Sequence, residues 1–184
     1  MNLLIEQAPD YIVVGGEKIK INTSFSSWVR FFIAYDEQDG TAIENALKNI
    51  FPEGIPETDI SETMAECIKW LFPADSSKHE GNCSENKNGA LAFDFAMDGN
   101  IIYCELWEYF PHLMERGITF HEGMQLIKIL MSDERTLLYH RAFARCGDFS
   151  KMDKEQKAYW IKERAKWIIR AKQNNIDDVF ARAF

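Results

Sequence analysis

No stretch of this 184-residue chain is apolar for long enough to cross a bilayer. Val29 to Tyr35, one of the longest apolar runs, is broken by Arg30 and falls far short of the roughly 20 residues that a membrane helix needs. A basic segment leading into an apolar one is also missing at the start, where Met1 to Ile5 runs directly into Glu6 and Pro9, so no secretory leader is expected. Cysteine is sparse and dispersed. Cys67, Cys83, Cys104 and Cys146 form no Cys-x-x-Cys pair, which excludes zinc-ribbon and thioredoxin patterns and favours reduced thiols. A phosphate-binding loop is absent too, because Val14 to Lys18 has neither the spacing nor the following helix of one. No G-x-S-x-G, H-E-x-x-H or EF-hand pattern occurs, and nothing pairs a nucleophile with a base. Positive charge is in short supply, with 21 Lys and Arg against 29 Asp and Glu for a net charge of −8. An acidic balance of this kind argues against nucleic acid and anionic lipid as partners.

What is present is apolar and aromatic. Hydrophobic residues make up 46% and aromatics 13% of the chain, enough for a core without disulfides or metals at this length. Tyr11 to Val14 and Glu17 to Ile21 are short β-prone runs flanking Gly15-Gly16, which reads as a hairpin with a tight turn. From Thr23 the apolar spacing changes to about 3.6 residues, with Phe25, Trp28, Val29, Phe32, Ile33 and Tyr35 on one broad face. Further helices are expected from Gly40 to Ile50, and from the capping box Asp59-x-x-Glu62 to Leu71. Another should follow Asp98-Gly-Asn100, bending or ending at Pro111, and one more should start at the capping box Thr119-x-x-Glu122 and run to Met131. The next is expected to be capped by Ser132 or Asp133 and stopped by Gly147 in a left-handed turn. The last should run from Asp153-x-x-Gln156 to about Gln173, with a final turn near Asn175. The expected fold is therefore mainly α, a helical domain of about six to seven helices with a small N-terminal β-hairpin. The polar stretch 73–89 reads as a mobile loop between an N-terminal part, 1–72, and a C-terminal helical part, 90–184, of one compact domain.

Candidate chemistry is thin. Glu105, Glu108 and His112 are spaced to share a helical face, yet Pro111 interrupts that face and no Glu-x-x-His pair completes a metal set. Asp94 and Asp98 flank a helix start, where carboxylates are expected without any acid-base role. Catalytic, cofactor-binding and metal residues are accordingly expected to be absent. The distribution of charge is more telling. Residues 1–150 hold 12 basic and 24 acidic side chains, net −12, whereas 151–172 hold eight basic and three acidic, net +5. That basic segment is amphipathic: Ile161, Ala165 and Ile168 recur at helical spacing, while Trp160 and Trp167 occupy the neighbouring face. Trp160, Lys162, Arg164, Trp167 and Arg170 are the candidate partner contacts, since Trp and Arg are the usual anchors of protein interfaces. Docking of the aromatics on the core, with the cations solvated, is the competing expectation.

Several scattered features resemble one family. They are Gly15-Gly16-Glu17-Lys18, Ile21-Asn22-Thr23-x-Phe25-x-x-Trp28, Phe93-Asp94-Phe95, Asp98-x-x-x-Ile102-Tyr103 and Gly117-Ile118-Thr119-Phe120. Arg145-x-x-Asp148-Phe149-Ser150-x-Met152, Lys154-Glu155-Gln156 and Tyr159-Trp160 complete the set. Together they are similar to the phage and prophage family known as bacteriophage gene product fifteen. The likeness spans about three quarters of the chain. Where that family carries an early His-Trp pair, this chain has Met124-Gln125-Leu126. Genes of the family typically lie between those of the major tail and tape-measure proteins of long-tailed phages of Gram-positive hosts. The resemblance implies a non-enzymatic tail assembly chaperone in the host cytoplasm, binding the tape-measure protein and tail-tube subunits, with a homo-oligomer also conceivable. A structural head-tail completion or tail subunit retained in the virion is the alternative it leaves open.

Overall fold

The computed structural model describes residues 8–56, 60–71 and 91–168. Among these the chain is mainly helical, with eight helices and one two-stranded antiparallel sheet. They fall into two compact units. Unit 1 holds 8–71 together with Gly117–Met124, and unit 2 holds 91–116 and 125–168. The unit boundary therefore does not follow chain order alone, because eight residues from the second half join the first unit.

Unit 1 begins with the hairpin. Strands β1 (Tyr11–Val14) and β2 (Glu17–Lys20) pair Tyr11 with Lys20 and Val14 with Glu17. Gly15 and Gly16 both take positive φ, 59° and 83°, the primed turn whose twist matches the strands and which side chains with a Cβ resist. Ile12 and Val14 are buried while Val13 is exposed, so the strand's alternate residues face the interior. The hairpin packs against α3 (Ile60–Leu71), and the Gly15 N–H donates to Glu62 Oε1 at 3.0 Å. Helices α1 (Phe25–Glu37) and α2 (Gly40–Ile50) pack on each other, and Asp39 caps α2 by accepting from the Ala42 N–H at 3.0 Å. The N-terminal caps expected for α3 lie at 57–59, outside the described residues.

An aromatic cluster fills unit 1. Trp28 stacks on Trp70 with centroids 4.2 Å apart, and both rings approach Phe120. Each indole N–H finds a carbonyl, Trp28 that of Asn22 at 2.7 Å and Trp70 that of Pro9 at 2.8 Å, as burial of an indole requires. The segment from Gly117 reaches this cluster by backbone pairing. The Phe25 N–H donates to Ile118 O and the Phe120 N–H to Thr23 O, each at 2.9 Å.

Unit 2 is built from α4 (Phe95–Tyr109), the short α5 (Pro111–Arg116), most of α6 (Phe120–Ser132), α7 (Leu137–Cys146) and α8 (Lys154–Trp167). Pro111 ends α4 and starts α5, the first helical position tolerating its missing N–H. Two expected caps hold: Thr119 and Glu122 form a reciprocal box, and Asp153 accepts from the Gln156 N–H at 2.8 Å. Three boundaries differ from expectation. Asp94, not Asp98, caps α4, accepting from the Met97 N–H at 2.8 Å. Thr136, next to the first residue of α7, caps it by accepting from the Tyr139 N–H, while Asp133 pairs with Arg135. Gly147 ends α7 in extended rather than left-handed backbone. The stretch 73–89, the end of the last helix beyond Ile168 and the turn near Asn175 lie outside the described residues.

Candidate functional site

The centre of unit 2 is ionic. Asp98 stands in the first turn of α4 with no exposed side-chain surface, and Arg145, equally buried, forks onto it from α7. Arg141, one turn earlier on α7, donates to Asp98 Oδ1 at 2.7 Å, and the Asp94 N–H adds a bond of 2.9 Å. Burial pushes the Asp98 carboxyl up, but the hydrogen bonds from Arg145 and Arg141, the Asp94 N–H and the Arg145 charge outweigh it and hold it below the usual value. Arg145 has donors left over. It gives them to the carbonyls of Trp167, at 2.6 Å, and Ala92, at 3.1 Å.

Trp167 is the last residue of α8, so its carbonyl is one that the helix cannot satisfy itself. The reverse contact exists as well: Arg164 on α8 donates to Ala144 O at 2.8 Å and to Gly147 O at 2.5 Å, at the C-terminus of α7. Each helix thus supplies an arginine to the negative end of the other. Arg164 also lies over the Phe149 ring at 4.1 Å, and Arg141 over Trp167 at 4.0 Å, adding cation-π attraction to the charge pairing. Trp160 packs edge-on to Phe143 at 4.9 Å and faces Phe149 at 6.1 Å.

Beside this clamp lies a cavity of about 380 Å³. Ile101 of α4 closes one side, Leu137, His140 and Arg141 come from α7, and Tyr159, Trp160 and Trp167 from α8. The volume suits one or two large side chains, and two large hydrophobic residues of the wall are exposed, Leu137 at 61% and Tyr159 at 57%. Two charged groups in the wall are already engaged. Arg141 is tied to Asp98, while Glu163 is held by Lys166 and by the Trp167 indole N–H. The hydrogen bond from Lys166 is foremost in keeping the Glu163 carboxyl below its usual value.

Of the five residues expected to contact partners, Trp160, Arg164 and Trp167 face α7 and frame this cavity or its clamp, whereas Lys162 is on the solvent side of α8. Arg170 lies outside the described residues. Tyr159, His140 and Leu137 are among the wall residues that the sequence does not single out as contacts. Tyr159 stands beside Trp160 and could have been included on that ground; nothing in the α7 sequence marks the other two.

The face expected for Glu105, Glu108 and His112 is divided. Glu105 is buried and accepts from the N–H groups of Leu137 and Leu138 at the start of α7, whereas Glu108 and His112 are exposed. Burial, before any other influence, raises the Glu105 carboxyl above its usual value. No cluster among the described residues has the makings of a metal site. None of the described helices is long and apolar enough to cross a membrane. No family model, curated protein or solved structure matches this chain.

Proposed function

We propose that this chain is a non-enzymatic binding protein of phage tail morphogenesis, a tail assembly chaperone that receives apolar side chains of a helical client in the α7–α8 cavity. The carrying observation is that cavity: aromatic walls set on two helices locked together by reciprocal arginine caps, with Tyr159 and Leu137 exposed in its wall. A pocket held rigid in this way binds without first ordering itself, which spares affinity. The family resemblance supplies the client. Tape-measure proteins are long helical chains, and covering their apolar stripes in the host cytoplasm until tail-tube subunits enclose them is the task such a pocket suits.

Co-expression with the tape-measure protein of the same phage or prophage tests this reading. The wild-type chain should keep the client soluble and co-purify with it. Tyr159→Glu, a change at an exposed position, should lose both effects without altering the melting temperature. A client equally insoluble with and without the chain would contradict the proposal. Mass spectrometry of purified particles should find the chain absent, and its presence would favour the structural virion subunit instead.

A further inference from the structure

Helix α8 has a second face that the cavity does not use. Trp160, Glu163, Arg164 and Trp167 turn inward, while Ala158, Ile161, Ala165 and Ile168 lie on the opposite side, exposed to solvent. Ile161 keeps 52% of its surface accessible and Ile168 42%. Their spacing of three, four and three residues is that of a coiled-coil stripe over two heptads, with alanines alternating with isoleucines. In that register the flanking positions are Lys157 and Arg164 on one side and Glu155 and Lys162 on the other; Lys157 and Lys162 are exposed, Arg164 is tied to α7, and Lys154 stands on the line of the stripe one turn before Ala158.

The geometry points to an acidic amphipathic helix of another protein as the occupant of this stripe. Two features select it. Alanine at alternate positions leaves shallow recesses, so the partner must bring large residues such as leucine or phenylalanine to fill them. The borders select charge. A second copy of α8 would set Lys157 against Lys162 if parallel, and Lys162 against its own counterpart if antiparallel with the stripes aligned, so both arrangements repel. A helix with glutamate at the flanking positions meets cations in either direction. The surface is separate from the cavity and stands or falls independently of it, so one chain would hold two helical ligands on opposite sides of α8.

The test uses the full chain and three-heptad helical peptides as probes, with binding read by fluorescence anisotropy and contacts mapped by amide chemical shifts. A peptide with leucine along its stripe and glutamate at the flanks should bind about tenfold or more tightly than one with lysine flanks, and than one with glutamate flanks and a serine stripe. Shifts should centre on Ala158, Ile161, Ala165 and Ile168. Ile161→Glu should weaken binding at least about tenfold while leaving the melting temperature unchanged, because the side chain is exposed. Lys157→Glu with Lys162→Glu should transfer preference to the lysine-flanked peptide. Tyr159→Glu should leave peptide binding intact, which separates this surface from the cavity. Equal binding of the serine-stripe peptide would reduce the effect to charge alone and overturn the proposal, as would binding that survives Ile161→Glu. Self-association in sedimentation that Ile161→Glu abolishes would assign the stripe to a second copy instead.

Discussion

Asp98 shows what a single residue decides in unit 2. It is fully buried with two arginines, so its removal strands Arg145 without a counter-charge in the interior. Breaking a buried pair from one side costs about 3–5 kcal/mol, far more than the pair is worth against an apolar replacement. Asp98→Asn should therefore destabilise the chain by about that amount in urea titration. Substituting asparagine for Asp39, at an exposed cap, should cost only a few tenths of a kcal/mol. The acid dependence follows from the depressed carboxyl. Stabilisation by Asp98 is full above its unfolded value near 3.8 and is lost as pH falls through the lower folded value.

His121 behaves differently. Its ring is buried in unit 1 with one nitrogen 3.0 Å from Trp70 O, the other having no hydrogen-bond partner. Burial lowers its tendency to protonate below the usual value of 6.5, against the opposing effect of the Trp70 carbonyl. The unfolded chain therefore binds the proton more readily, and stability should decline as pH drops below about 6.5. His121→Gln, which keeps a donor for Trp70 O, should flatten that decline in urea titrations repeated between pH 7 and 5, a window well above the Asp98 step.

At the scale of elements, helix ends decide most of the architecture. The boxes at Thr119 and Asp153 were legible because cap and recipient lie three residues apart in the sequence. Asp94 and Asp98 were not separable, since both suit a helix start. Only the tertiary pull of Arg141 and Arg145 on Asp98 leaves Asp94 to cap. Gly147 is legible in the sequence as a terminator, but it does not act through a left-handed turn. Its backbone is extended, and what demands glycine is space, because a Cβ would lie 2.5 Å from Phe143 O. Gly123 in α6 is a similar case. A Cβ there would lie 2.3 Å from the Phe25 ring, with even the ring's base atom at 2.9 Å, so the whole side chain would have to move. Alanine gains up to about 1 kcal/mol in helix propensity, whereas overpacking costs about 1–3 kcal/mol. Gly123→Ala should therefore lower the melting temperature, and adding Phe25→Leu should restore much of the loss.

For the whole molecule, period and composition foretold a mainly helical chain with one hairpin, and this much local pattern can carry. The candidate site was legible in part. The basic, tryptophan-bearing segment 151–172 is marked by charge and spacing, but which face of α8 within it turns inward depends on α7, through Phe143, Ala144 and Gly147. That dependence is tertiary, which is why the sequence does not reveal that the Arg164 guanidinium closes the end of a neighbouring helix.

The indole N–H resonances of Trp160 and Trp167 test the account most directly, since both rings line the cavity. Titration with a helical segment of the tape-measure protein should move these two signals in the wild-type chain and not in Tyr159→Glu, while those of Trp28 and Trp70 in unit 1 stay in place. A segment that binds with the Trp160 and Trp167 signals unmoved would contradict it.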